Sequence, residues 1–359
     1  MRLSRRMVLA GAACLPLAEG VEAASLQKVA GRANMMFGAA VQARQILADA
    51  PFREQVVRQC GTIIPEIEMK WDFIEPEAGR FNMQPADQLA EFAASHGKAM
   101  HGHALLWHRS IAPWAVQHLT ENADWSILRK FMEMVVPRYA RNIGSWDVVN
   151  EPLEIGPRKD GLRNNVFLAA FGTDYIRRAF EEARELAPDA VLFLNEYGLL
   201  EDFPESVSKR EALIRLLEAL LKAGAPVGGV GIQAHLELAK TPHFDAPAIT
   251  DLFNRIGAMG LQIRISELDV TEAETALPVE MRDAKVAEAV TRLLEAVIEN
   301  RAVGSINCWG LSDRYSWLPP QSALAGPNRG LPLDARLRPK AMYRVIRNHL
   351  TLRRRIRTD

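Results

Sequence analysis

Two stretches of the chain run apolar into a carboxylate. In Trp146-Asp147-Val148-Val149-Asn150-Glu151-Pro152, β-branched residues lead to an amide and a carboxylate, and a proline then forbids further regular pairing. Ile263-Arg264-Ile265-Ser266-Glu267-Leu268-Asp269 repeats the pattern with Glu267. A strand that delivers a carboxylate at its carboxyl end suits an α/β barrel, whose chemistry sits where strands end. Two carboxyl groups facing each other over a cleft can hydrolyse a glycosidic bond. One protonates the leaving oxygen, and the other attacks or activates water. Alone, either glutamate reads as well as a solvated loop residue. Their company decides the matter.

Nearly every other strand end adds a group that can hold a sugar: Glu66 and Lys70, His103 and Trp107, Asn195 to Tyr197, Gln233 and His235, and Trp309. Singly, Trp107 reads as core, His103 as a satisfied buried imidazole and Lys70 as surface charge. Gathered at one end of seven strands, such groups have no structural purpose. Tryptophan faces stack on sugar rings, with an apolar body and a polar edge.

The elements that must position these groups follow from pattern. Short apolar runs predict strands at 35–41, 62–64, 98–103, 191–194, 227–232 and 305–309, besides the two carboxylate-bearing ones. Helices are expected at 51–60, 86–95, 206–223, 278–300 and 339–350. Further helices are expected from Asn122 or Asp124, with Ile127, Leu128, Phe131, Met132, Val135 and Val136 as the apolar face, from Thr173 or Asp174, and from Asp245 to Gly260. Leu213, Leu216, Leu217, Leu220 and Leu221 should point inward, and Gly144 reads as a helix stop before the fourth strand. Eight strands alternating with helices predict an α/β fold, a single (β/α)8 (TIM) barrel over 25–359 with its cleft at the carboxyl ends of the strands. Strands four and seven would then set Glu151 opposite Glu267. His235 should reach Glu267, and Asp269, on the same face, should hold its other ring nitrogen.

Of 359 residues, 48% are hydrophobic, ample for one large core, and Lys plus Arg equal Asp plus Glu at 44 each. That balance carries no electrostatic footprint for nucleic acid and suits a neutral polymer. The basic tail Arg353-Arg354-Arg355-Ile356-Arg357 reads as a solvated terminus. Ser4-Arg5-Arg6 before a short apolar run, with small residues at Ala23-Ala24, reads as a twin-arginine export signal over 1–24. Export to the periplasm or medium is therefore expected. No run is long enough to span a bilayer. Cys14 lacks the upstream leucine of a lipidation site, and Cys60 and Cys308 read as buried thiols. A monomer is expected.

The chain resembles glycoside hydrolase family 10, the endo-β-1,4-xylanases and relatives. The resemblance rests on Pro65 to Trp71, Gly102-His103-Ala104-Leu105-Leu106-Trp107-His108, Trp146 to Glu151, Gly229 to His235, Ile265 to Asp269, Trp309-Gly310-Leu311-Ser312-Asp313 with Ser316-Trp317, and Pro339-Lys340-Ala341-Met342-Tyr343. It implies that Glu151 is the acid/base and Glu267 the nucleophile of a retaining β-1,4-glycanase that needs no cofactor or metal. It also implies that Asn150, His103 and Lys70 hold hydroxyls of the reacting sugar, that Trp107, Trp309 and Trp317 wall the glycone side, and that Gln233 and His235 flank the nucleophile. Two positions depart from the family: Ile67 stands where Asn is usual, and Gly198 follows Tyr197 where Asn is common. The first bears on the choice of polymer, so a β-1,4-glucan or an exopolysaccharide is the alternative substrate.

Three other readings compete. His101-Gly102-His103 resembles the His-x-His of metal-dependent barrel hydrolases, but it follows two strand units and leaves Trp107 and Glu151 without a role. Gly229-Val230-Gly231-Ile232-Gln233-Ala234 fits a dinucleotide fingerprint but opens no helix. A non-catalytic sugar-binding barrel would keep the tryptophans and need neither carboxylate.

Overall fold

The computed structural model describes residues 24–272, 276–318 and 327–358, with side chains as far as 354. Its frame is a closed parallel barrel of β1 (Met36–Val41), β2 (Thr62–Pro65), β3 (Ala99–Gly102), β4 (Ile143–Asn150), β5 (Val191–Glu196), β6 (Gly229–Ile232), β7 (Gln262–Thr271) and β8 (Val303–Cys308). Each strand pairs with the next, and Met36 opposite Ser305 closes β1 on β8. Helices return the chain between strands, as parallel pairing requires. The predicted barrel is the observed one. The expected export segment lies outside the described residues except for Ala24.

Local chemistry explains the helix starts. The Asp49 side chain accepts from Phe52 N–H ahead of Ala50–Gln59, whose Pro51 costs nothing in the first turn. Asp245 does the same for Ala246–Ala258 through Ala248. Helix Ser126–Val135 buries Leu128, Phe131, Met132 and Val135 on one stripe. In Pro204–Lys222, Leu213, Leu217 and Leu220 are buried, whereas Leu216 and Leu221 are only half-buried at the edge of the stripe. Cys60 and Cys308 are free, buried thiols.

Several expectations need correction. Gly144 is not a helix stop: it lies inside β4, and the preceding helix ends at Val135, just ahead of Pro137. Sequence pattern missed helices Leu26–Arg32, Pro113–Asn122 and Val166–Phe171. The last helix, Ala341–Thr358, runs through the basic tail. Arg353 there is buried, donating to the carbonyls of Ile298 at 2.9 Å and Val303 at 2.8 Å, and so is not solvated.

Register irregularities re-aim side chains at the mouth. Between β4 and β5, Asp147 faces Phe193 but Val149 faces Leu194, so β4 carries an extra residue. Between β7 and β8, Ile265 faces Ile306 but Leu268 faces Cys308, so β7 carries one as well. A bulge lets residues three apart share a face, which a regular strand forbids. Asp147 and Asn150, and likewise Arg264 and Glu267, thereby both turn inward. Two short strands extend the rim: Leu106–Trp107 on β4, and His235–Glu237 beside Asp269 to Thr271 of β7.

Candidate active site

At the carboxyl ends of the strands lies a cavity of about 300 Å³. Its walls hold Glu66 and Lys70 from after β2, His103 and Trp107 from after β3, and Asn150 and Glu151 from β4 and its end. Tyr197 follows β5, Gln233 and His235 follow β6, Glu267 comes from β7, and Trp309 and Trp317 follow β8. Twelve of the residues singled out in the sequence meet here, whereas Asn195 and Glu196, also singled out, do not line the cavity. Ile67 is not among the lining residues. Arg109 lines the cavity too, with its side chain exposed, and was not anticipated.

Glu151 is held by its backbone. It takes a left-handed conformation, φ 56°, costly for a residue with a Cβ. Its N–H donates to Asn195 O at 2.8 Å, and its carbonyl accepts from Arg163 Nε at 3.0 Å. The clamp on both sides enforces the turn that lifts the carboxyl group over the cavity. There Oε1 lies 3.4 Å from Gln233 Nε2 and 3.5 Å from Asn150 Nδ2.

Glu267 is surrounded differently. Asn195 Nδ2 donates to Oε1 at 2.6 Å and also to Asn150 Oδ1 at 2.8 Å, while Ser266 Oγ donates to Asn195 Oδ1 at 2.7 Å. His235 Nε2 lies 3.1 Å from Oε2, and its Nδ1 lies 2.9 Å from Asp269 Oδ1, whose other oxygen accepts from Trp317 Nε1 at 2.7 Å. The expected link from Asp269 through His235 to Glu267 is present. Burial, the largest influence, would raise the Glu267 carboxyl, but the hydrogen bond and charge of His235 together with the other groups around it outweigh burial and leave the carboxyl below its ordinary range. Burial opposes the His235 cation, yet the Asp269 and Glu267 carboxylates raise it to about 10.

Two glycines make this packing possible. A Cβ on Gly231 would fall 2.1 Å from Asn195 Oδ1, and one on Gly102 would fall 1.9 Å from the Trp146 ring. Gly231 thus belongs to the supporting wall of Asn195, which accounts for part of the glycine pattern that mimics a dinucleotide fingerprint. His101 and His103 both turn one nitrogen to Asp147 Oδ2, each at 2.9 Å. Arg264 Nη1 sits 2.5 Å from the other nitrogen of His101. The His-x-His pair is committed to a carboxylate and a guanidinium, a poor setting for a metal cation.

Elsewhere on the cavity wall, Lys70 Nζ lies 4.7 Å from the Trp107 ring centre and 5.7 Å from that of Trp309. Burial lowers Lys70 and raises Glu66 relative to their ordinary values. Past Tyr197 and His235, a second cavity of about 390 Å³ continues the cleft, with Arg163 and Lys209 in its wall. Arg163 Nη2 donates to Tyr197 Oη at 2.9 Å. Lys209 pairs with the buried Glu196 at 2.8 Å and stands 3.7 Å from the Tyr197 ring centre. Sequence reasoning missed this supporting set, because Lys209 and Arg163 lie in a helix and a loop far along the chain.

A (β/α)8 barrel whose mouth joins two carboxylates, neutral amides and a tryptophan wall defines a carbohydrate-active barrel. The description "Glycosyl hydrolase family 10" matches residues 25–349, and the chain belongs to that family. Endo-1,4-beta-xylanase B of Thermotoga neapolitana is 30% identical over 297 residues, which cover 82% of each chain. Among solved structures, native xylanase 10B from Thermotoga maritima is 30% identical with TM-score 0.82, over 92% of this chain and 99% of that one. Xylanase 10B from Thermotoga petrophila RKU-1 in complex with xylobiose is 28% identical with TM-score 0.83, over 93% and 99%.

Proposed function

We propose that the chain is an endo-acting, retaining β-1,4-xylanase, with Glu267 as nucleophile and Glu151 as acid/base. The observation that carries the reading is the unequal support of two glutamates on one cavity. Glu267 is braced by Asn195 and His235 and kept below its ordinary range, as a nucleophile must be. Among the described residues, Glu151 meets only amide donors at 3.4 to 3.5 Å, a looser setting for a group that gives and retakes a proton. The named relatives and solved neighbours are xylanases, which supports xylan as the polymer.

In the first step Glu267 attacks the anomeric carbon, the glycosidic C–O bond breaks, and Glu151 gives its proton to the departing oxygen. In the second, Glu151 takes a proton from water, which attacks the same carbon and releases Glu267. Two inversions give net retention. Lys70, His103 and Asn150 hold hydroxyls of the reacting sugar, Glu66 and Gln233 add further polar contacts, and Trp107, Trp309 and Trp317 cover ring faces. Tyr197 stands at the passage to the second cavity, where the leaving chain lies. We also infer that 1–24 is a twin-arginine signal and that the mature enzyme works outside the cytoplasm as a monomer.

The test is stereochemical. Proton NMR of xylan oligosaccharides during early hydrolysis should show the β-anomer as the first product. The α-anomer appearing first would overturn the double displacement. Parallel digests of xylan, cello-oligosaccharides and mixed-linkage glucan decide the polymer, and faster release from glucan would favour the alternative substrate.

A further inference from the structure

The bore of the barrel beneath the cavity holds a cation that the reaction as described does not use. Arg264, alone between Ile263 and Ile265 on β7, points inward and is buried. Its guanidinium lies against the Phe193 ring, 5.3 Å from the centre, and among the described residues it makes no ion pair with a carboxylate. Asp147 is the carboxylate that acts on it, across His101. A buried charge without a direct partner is costly, so its retention needs a reason.

The hydrogen-bond chemistry of the column supplies one. A guanidinium only donates. Arg264 Nη1, 2.5 Å from His101 Nδ1, therefore requires a lone pair on that nitrogen, and Ser145 Oγ completes the contact at 2.8 Å from Nδ1 and 2.9 Å from Nη1. The His101 proton then sits on Nε2, 2.9 Å from Asp147 Oδ2, though off the line of a good hydrogen bond. That same oxygen faces His103 Nδ1 at 2.9 Å, and an ionised carboxylate only accepts, so His103 carries its proton on Nδ1. The remaining nitrogen of His103 is the one left for the cavity.

We propose that Arg264 is a positioning residue which, through His101 and Asp147, keeps His103 unprotonated on Nε2, so that His103 accepts a hydrogen bond from a sugar hydroxyl. Arg264 supplies the charge that balances Asp147 from the far side of the column. Without it, one of the two imidazoles must take a second proton to balance the buried carboxylate. If that ring were His103, the acceptor would become a donor and clash with the donor side of the same hydroxyl. Burial and the neighbouring Arg264 push His101 down to about 4, in keeping with a neutral ring there. Asp147, despite burial, is held well below its ordinary range by the two imidazoles. From the mouth, Glu267 faces the column, and Glu66, Lys70, Arg109 and Glu151 line the same cavity as His103.

The direction of His103's bond to sugar rests on the proposed function; the proton positions do not. Side-chain ¹⁵N NMR of the unliganded full chain reads them directly. In the wild type, between about pH 5.5 and 7.5, His101 Nδ1 and His103 Nε2 should both be unprotonated. In Arg264→Met, His103 should become an imidazolium, and Arg264→Lys should restore the wild-type pattern. With xylo-oligosaccharides, Arg264→Met should lower kcat/KM roughly tenfold, as one misdirected hydrogen bond would, with Arg264→Lys recovering most of it. A wild-type His103 protonated on Nε2 would overturn the proposal, and that spectrum is decisive even if Arg264→Met fails to fold. So would a folded Arg264→Met in which His103 Nε2 stays unprotonated, whether or not His101 gains a proton, since mere filling of the bore alters stability and not the state of His103. If the spectra behave as stated but xylan is not cleaved by the wild type, the functional reading fails and the column stands.

Discussion

Substituting Gly231 with alanine probes the brace on Glu267 without touching either carboxylate. The new Cβ would stand 2.1 Å from Asn195 Oδ1, 2.9 Å from its Cγ and 3.2 Å from Ser266 Oγ. Asn195 is fully buried, so its amide has to swing and give up the 2.6 Å bond to Glu267. A hydrogen bond to a charged group contributes about 1.5–3 kcal/mol, and overpacking a tight site costs about 1–3 kcal/mol. Gly231→Ala should therefore destabilise by about 2.5–6 kcal/mol in urea unfolding, and kcat/KM on an aryl β-xyloside should fall about 10–100-fold. Gly304→Ala in β8 is the control, because its Cβ would meet nothing within 4 Å. It should stay within about 1 kcal/mol of the wild type and keep full activity. In an Asn195→Ala background, Gly231→Ala should add little further loss of activity, since both remove the same bond. A Gly231→Ala enzyme as active and stable as Gly304→Ala would refute the role given to Asn195.

Two further outcomes follow from the charges around the cleft. Glu267 lies below its ordinary range because, against burial, the largest influence, the His235 hydrogen bond and the neighbouring charges together prevail, so its contribution to stability is present above the unfolded carboxyl pKa and lost as pH falls through the lower folded value. His235, raised to about 10, has the opposite sign: its contribution is complete below about 6.5 and is lost as pH rises through about 10. His235→Phe should accordingly shift the acid limb of kcat/KM to higher pH, and an unmoved limb in the pH–rate profile would contradict the tuning. Lys209→Met strands the fully buried Glu196 beside Tyr197 and should cost about 3–5 kcal/mol in thermal or urea unfolding. Adding Glu196→Gln should recover much of that, and a single variant as stable as the wild type would show that the pair is not what holds Tyr197.

The barrel and its mouth were legible because strand ends carry their chemistry in short, polar-tipped apolar runs. Twelve candidate residues meet on one cavity, since strand order around a closed barrel fixes which ends are neighbours. The bulges in β4 and β7 were not legible, because a period of two gives no sign of an extra residue. For that reason Asp147 was not seen to share a face with Asn150. Arg264 did leave a signal, a lone cation between two isoleucines, and only the bore shows what it meets. Gly144 was read as a stop because helices often end on glycine, whereas here Pro137 follows the helix and the glycine faces open space on a strand. Helix Pro113–Asn122 was missed because Ala115 and Leu119 are its only fully buried side chains, too few to write a stripe.

The most direct test of the two-carboxylate account is Glu151→Ala, measured on xylan and on an activated aryl β-xyloside, with and without azide. Cleavage of xylan should fall by roughly 10²–10⁴-fold, because its leaving oxygen needs a proton. The activated substrate needs none, so its first step should survive and the glycosyl ester on Glu267 should accumulate. Azide attacks without a general base, so it should restore turnover and yield a β-glycosyl azide. Normal xylan cleavage by Glu151→Ala, or an α-glycosyl azide as the rescued product, would contradict the assignment of Glu151 as acid/base and Glu267 as nucleophile.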